Sequence, residues 1–295
     1  MEILNLISEY PKGVALILGF FDGVHLGHQA VISQAVNYAK KTNAKTVLVT
    51  LKASPKEYFV CESEYIFERK ESYKLIENLG VDYILELDFA SVVDKTPEEY
   101  LVHFLINNFQ PISITTGFNH TFGKNKKGTT SFLYECAKKY GYKYFCVEPE
   151  KVEDQIVSSS LIKELLKKGL IETANRLLNS RFKVSSTVVA GNAIGRKIGF
   201  PTANLNYPAR IVQIPFGVYS VIVNGIPSIL NWGVKPTVNG DVPTLEAHII
   251  GFEGDLYNKI LEIEFLKKIR DEKKFNSLDE LQEQIKKDIT ECLRL

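Results

Sequence analysis

The sequence predicts an α/β chain in two parts: a doubly wound domain with a parallel sheet, then an antiparallel β-domain ending in a helix. Three observations predict it. In the first half, continuous apolar runs alternate with helix-period segments, as in a parallel sheet covered on both faces. Near Arg181 the pattern changes to β-rich runs punctuated by Gly, Pro and Asn, at the spacing of an antiparallel barrel or sandwich. The chain then closes on "SLDELQEQIKKDITECL", a helical pattern in which Ser277 and Glu280 can form a capping box.

The elements follow in order. "VALILGF" (Val14–Phe20) reads as a buried strand and "HQAVISQAVNYAKK" (His28–Lys41) as an amphipathic helix. Strands are expected at Thr46–Leu51, Val81–Leu87, Ser113–Phe118 and Tyr142–Glu148, with helices between them. The second set comprises "SSTVVAG", "GVYSVIVNG", "SILNWGV", "TLEAHIIGF" and "ILEIEFL". The helical stretch Ser158–Ser180 separates the halves, giving domains 1–180 and 181–295.

A chain of 295 residues with 45% hydrophobic and 24% charged residues has ample material for a core. Its net charge of +1 supplies no field toward nucleic acid or an anionic membrane. The start Met1-Glu2-Ile3 lacks a basic leader, and no apolar stretch approaches membrane-spanning length, so a cytoplasmic protein is expected. Cys61, Cys136, Cys146 and Cys292 are scattered and expected to be reduced thiols, with neither zinc nor a disulfide framework. Oligomeric state has no signature in the sequence.

Two stretches carry chemistry. In "GFFDGVHLGHQ" (Gly19–Gln29) a strand delivers its residues into a helix N-terminus, where backbone N–H groups and the helix dipole attract anions. Gly23 and Gly27 let the backbone approach a phosphate, and His25 and His28 can donate hydrogen bonds to phosphoryl oxygens as charge moves to a leaving pyrophosphate. In "GNAIGRKIGFPTANL" (Gly191–Leu205), Gly191, Gly195, Arg196, Lys197 and Gly199 make a basic loop suited to enclosing phosphates, without a Walker lysine. Thr202 and Asn204 then offer hard oxygen ligands of the kind Mg²⁺ accepts beside nucleotide phosphates.

The first stretch resembles the H-x-G-H nucleotidyltransferases, which transfer the adenylyl group of ATP on a Rossmann-like domain. At full length it looks like the N-terminal FMN adenylyltransferase module of bacterial bifunctional riboflavin kinase/FAD synthetases. "GFNHTFGKNKKG" (Gly117–Gly128) resembles that family's G-x-[ND]-x-x-F-G segment, and "VSSSLIKELLKKG" (Val157–Gly169) its S-S-[ST]-x-I-R segment. Taken alone, Asn119 reads equally as a turn residue and Ser158–Ser160 as a helix cap. Two positions depart from the family: "TLKASP" (Thr50–Pro55) puts Ser54 where T-F-x-P-H-P has its histidine, and Lys163 replaces an arginine, keeping charge but losing bidentate geometry. The second stretch, with "PFGVY", "NWGVKPT" and "LEAHIIGFEGDLY", resembles the riboflavin kinase domain, which implies a barrel.

The resemblance implies an enzyme that phosphorylates riboflavin to FMN in its C-terminal half and adenylylates FMN to FAD in its N-terminal half, using Mg-ATP. It implies catalytic His25, His28 and Asn119, and an ATP site of Gly19, Phe20, Asp22, Gly23, Gly27, Ser159, Ser160 and Lys163. In the kinase half it makes Glu246 the base for the riboflavin 5′-hydroxyl; by pattern alone Glu246 is an outward-facing carboxylate in a strand, and His248 beside it is structural. Arg270 and Phe275, in "IRDEKKF", fall where the family helps to hold the flavin. Partners are these small molecules, with no nucleic acid and no membrane. Two other readings share the motifs: a riboflavin kinase whose first domain only binds nucleotide, and a non-catalytic flavin-sensing regulator.

Overall fold

The computed structural model describes residues 1–4, 9–60, 64–190, 195, 198–237 and 240–294. The chain divides into two compact units, Met1–Ser63 with Arg69–Ser158, and Glu64–Glu68 with Ser159–Leu295.

The first unit is built on a parallel sheet. Its strands are β1 (Glu2–Leu4), β2 (Ala15–Leu18), β3 (Thr46–Leu51), β4 (Tyr83–Leu87), β5 (Ser113–Gly117) and β6 (Lys143–Val147), in the order β1-β4-β3-β2-β5-β6. Its helices include α1 (Leu26–Thr42), α2 (Pro55–Val60), α3 (Arg69–Asn78), α4 (Phe89–Val92), α5 (Asn107–Phe109) and α6 (Thr130–Tyr140). The continuous apolar runs have a direct cause, since both faces of the sheet are covered. Leu16 and Leu18 of β2 join one core with Leu101, Leu105 and Leu133, while Ile17 between them joins another with Ile32, Ala35 and Val36 of α1. A π-helical segment, Glu99–Ile106, precedes α5, and no sequence pattern announced it. A two-stranded ribbon of β7 (Lys151–Val152) and β8 (Gln155–Ile156) follows β6.

The second unit is a closed antiparallel barrel. Helices α7 (Ser159–Lys167) and α8 (Ile171–Leu178) precede β9 (Lys183–Val189), β10 (Ala203–Leu205), β11 (Gly217–Val223), β12 (Ile226–Thr237), β13 (Gly240–Ile249) and β14 (Ile260–Arg270). They close in the order β10-β13-β12-β11-β14-β9, with β10 pairing back onto β9. Alternate residues fill the interior, among them Leu245, Ala247, Leu261, Ile263 and Phe265. The terminal helix α9 (Leu278–Cys292) packs on β11, β12 and β14. Ser277 caps it as its spacing predicts, accepting from the Glu280 N–H at 3.2 Å; the Glu280 carboxylate accepts from Asn276 N–H, one residue before the cap.

The boundary read at residues 180/181 falls after α8, inside this second unit. Asn175 explains why α8 groups with the barrel: its amide donates to Phe265 O at 2.8 Å and accepts from Phe182 N–H at 2.7 Å. The short segment Glu64–Glu68 joins it through Tyr65, which bonds Arg210 O and Val212 N–H at 2.8 and 2.9 Å.

Candidate functional sites

In the first unit the chain runs from β2 to β3 and β4 on one side, then to β5 and β6 on the other. The strand order therefore reverses between β2 and β5, and ligand crevices in such sheets open beyond the strand C-termini at that point. Both motifs leave from there: Gly19–His25 connects β2 to α1, and Phe118–Asn119–His120 follows β5.

The turn before α1 is tightly specified. Gly23 has φ +82° and buried Val24 has φ +42°, a conformation that costs a β-branched residue about 1–3 kcal/mol. The surrounding bonds hold it, with Val24 N–H on Phe21 O and the Gln29 amide on Val24 O at 2.8 Å. His25 is the helix N-cap, its Nδ1 accepting from His28 N–H at 3.4 Å, which leaves its proton on Nε2. The two imidazoles stack with centroids 3.7 Å apart. Gly27 makes this possible, because a Cβ there would stand 3.3 Å from the His25 ring. Burial pushes His25 down to about 4 and His28 well below its ordinary value, the latter also through its neighbour His25. Both rings are thus neutral hydrogen-bonding groups near pH 7. Asp22 and Phe21 are buried beneath the turn, while Asn119 is exposed. His120 is lowered to about 4 by burial, and its Nε2 meets no hydrogen-bond partner among the described residues.

The third segment lies elsewhere. Ser159 and Ser160 open α7 in the second unit, and Lys163 Nζ donates to Glu64 O at 2.5 Å, 5.8 Å from the Tyr65 ring centroid. Ser54, at the departure from the family pattern, begins α2 by accepting from Lys56 N–H through its hydroxyl.

The second unit contains a cavity of about 320 Å³ between the outer barrel wall and α9. It gathers Gly195, Thr202, Asn204, Glu246, Arg270 and Phe275, six residues that the sequence singled out. Gly191, Arg196 and Lys197 lie outside the described residues. The register explains the gathering. Glu246 of β13 pairs with Asn204 of β10 on one side and Asn231 of β12 on the other. Leu245 and Ala247 point into the barrel, so Glu246 points out into the cavity. A side chain at 195 would collide with Phe200 O, which accounts for that glycine by close approach. Gly199 instead has φ +80°.

Arg270 is less free than its place in the motif implied. Its Nε and Nη2 donate to both carboxylate oxygens of buried Asp288 at 2.9–3.1 Å, and its guanidinium sits 5.8 Å from the Phe275 ring. His248, read as structural, bonds Pro201 O through Nδ1 at 2.8 Å and also lines the cavity. Sequence reasoning passed over Asn231 and Asp288. The first was detectable, since buried Leu230 and Trp232 flank it on a strand and force it outward. The second was not, because nothing local pairs residues 270 and 288.

A parallel sheet with an H-x-G-H turn at its switch point, followed by a barrel with a carboxylate-bearing cavity, is the architecture of a two-domain transferase. The FAD synthetase family model matches residues 7–161 and the riboflavin kinase model residues 178–295. Bifunctional riboflavin kinase/FMN adenylyltransferases from Haemophilus influenzae and Bacillus subtilis are 31% and 34% identical, over 97% and 98% of this chain and 95% of each relative. The Escherichia coli enzyme of that name is 30% identical over 97% of this chain and 94% of its own. The chain belongs to the bifunctional riboflavin kinase/FMN adenylyltransferase family. A solved structure described as a macrolide-efflux protein from Streptococcus pneumoniae superposes over the whole of both chains with a TM-score of 0.89 and 29% identity. Among the described residues no helix is long and apolar enough to cross a membrane.

Proposed function

We infer that this chain makes FMN and then FAD: the barrel unit phosphorylates riboflavin with ATP, and the sheet unit transfers the adenylyl group of a second ATP to FMN. The observation that carries the kinase half is Glu246, held between Asn204 and Asn231 on the wall of a cavity that also holds Thr202 and Gly195. Glu246 takes the proton of the riboflavin 5′-hydroxyl as that oxygen bonds the γ-phosphorus, and ADP departs with the electrons of the broken P–O bond. Arg270, fixed by Asp288, and Phe275 form the flavin end; Gly195 and Phe200, beside Thr202, form the phosphate end.

Thr202 and Asn204 fit Mg²⁺. Among the described residues no cluster of three or more His, Cys, Asp or Glu could hold a metal, and Mg²⁺ typically takes only one or two protein oxygens beside phosphates and water. When bound, the ion would neutralise charge on the β- and γ-phosphates.

In the sheet unit the FMN phosphate is the nucleophile at the α-phosphorus and pyrophosphate leaves, so no protein nucleophile is required. The neutral imidazoles of His25 and His28 donate hydrogen bonds to the phosphoryl oxygens, beside the backbone N–H groups that open α1. Asn119 reaches the same crevice from β5, and Gly19, Phe20, Asp22, Gly23 and Gly27 shape it. Free Cys136, Cys146 and Cys292 suit the reducing cytoplasm, where ATP is available. Incubating the protein with riboflavin, ATP and Mg²⁺ and separating the flavins tests the reading. FMN followed by FAD is expected; FMN without FAD leaves a kinase alone, and neither product overturns both halves.

A further inference from the structure

We propose that Gln282 is a positioning residue that couples the ATP end of the barrel cavity to its flavin end. The proposal rests on the kinase reading above and deepens it. Helix α9 forms one wall of the cavity through Leu281, Ile285 and Asp288, spaced on one helical face. It is tied to the rest of the wall at both ends of the cavity. At the flavin end Asp288 grips Arg270 of β14 through bidentate hydrogen bonds, and Gln284 Nε2 donates to the same carboxylate at 2.9 Å. At the phosphate end Gln282 Nε2 donates to Ile198 O at 3.2 Å.

The carbonyl that Gln282 holds belongs to the turn closed by Gly195. Ile198 N–H and Phe200 N–H both donate to Gly195 O, at 3.2 and 2.8 Å, and Gly195, Ile198 and Phe200 all line the cavity. Backbone groups that bind phosphates lose conformational freedom when the ligand seats against Gly195 and Phe200. The Gln282 hydrogen bond removes part of that loss, and more of it the more firmly α9 is held. Conversely, a flavin seated against Arg270 and Phe275 steadies α9 and, through Gln282, the turn.

Gln282 is not required to fasten the helix. Asp288 does that with Arg270, and Cys292 accepts from Ser220 Oγ at 3.1 Å and donates to Ser228 O at 3.3 Å. Its place in the sequence, one residue past Leu281, puts it at the rim of the cavity face rather than in the core. A net contribution typical of one amide–carbonyl hydrogen bond corresponds to a coupling of about two- to tenfold between the ligands, equal in both directions.

The test uses the full chain and initial rates over a grid of ATP and riboflavin concentrations, counting FMN and FAD together. The ratio of ATP dissociation constants without and with riboflavin is the coupling factor. We expect about two- to tenfold in the wild type, falling close to one in Gln282→Ala and in Gln282→Glu, which keeps the length but replaces the donor. Gln282→Lys, with N–H donors on a chain of similar reach, restores part of it. ATP KM at saturating riboflavin rises more than kcat falls, and thermal midpoints stay near wild type. A wild-type ratio of one, or a full ratio in both Ala and Glu variants, overturns the proposal. Absence of any FMN from the wild type overturns the kinase reading instead, so the two failures are told apart.

Discussion

Around the H-x-G-H turn the donors of the first unit are uncharged, backbone N–H groups and two buried imidazoles kept neutral on a strained Gly-Val corner, with Asp22 buried beside them. The barrel cavity is walled by full charges, Glu246, Arg270, Glu272, Lys273 and Asp288 among them. The difference teaches that a ligand site can be made either by desolvating neutral donors or by pairing ions. The first kind fails when protons arrive; the second fails when one partner is removed and the other is left bare.

The largest expected effect separates the two units outright. Glu246→Gln should lower FMN formation by ~10²–10⁴-fold while FAD formation from supplied FMN continues at its usual rate. Near-normal phosphorylation would make Glu246 a structural carboxylate. The mirror experiment, His28→Ala, should cut FAD formation by ~10²–10³-fold and let FMN accumulate. Equal loss of both products would show that the variant had damaged the protein rather than one site.

Truncation sharpens the comparison in another way. A fragment of residues 159–295 should fold and phosphorylate riboflavin, at some cost in stability from the missing Glu64–Glu68 segment with buried Ile66 and Phe67. A fragment of 181–295 lacks the Asn175 bonds and the buried Leu177 and Leu178 side chains, and should be less stable by about 5 kcal/mol. Urea unfolding of the two fragments checks it; equal midpoints would place the domain start at Arg181.

The smallest effect is graded with pH. Unfolded histidines titrate near 6.5 and His25 and His120 near 4 in the folded chain, so below pH 6.5 the unfolded state binds more protons. Stability of the first unit should therefore fall between about pH 6.5 and 4, by about 3 kcal/mol for His25 alone. Hydrogen exchange of the β2–β5 amides should show it, with the β11–β14 amides changing less. A parallel loss in both sets would point to a cause outside these histidines.

Local chemistry was legible in the sequence and distant pairing was not. H-x-G-H could be read because cap, stacked ring and glycine sit within four residues. The strands could be read because burial on two faces leaves unbroken apolar runs. Glu246 needed the family resemblance, since an alternating strand gives an outward carboxylate no role. The Arg270–Asp288 pair joins a strand to a helix, and Glu64–Glu68 joins the barrel unit from far upstream; neither has a periodicity to betray it.

The strand registers also fix an order in time. Within the first unit β2 meets β3 with Ala15 beside Thr46, and β3 meets β4 with Val47 beside Tyr83. The β2–β5 seam, by contrast, brings residue 15 beside residue 113, with the whole β3–β4 excursion between them. Short loops close in well under a microsecond, whereas non-local parallel pairing waits on the entropy of a long chain. The crevice between β2 and β5 is thus the late event in folding. During refolding from denaturant, the amides bonded between β2 and β3 and between β3 and β4 should gain exchange protection before those bonded between β2 and β5.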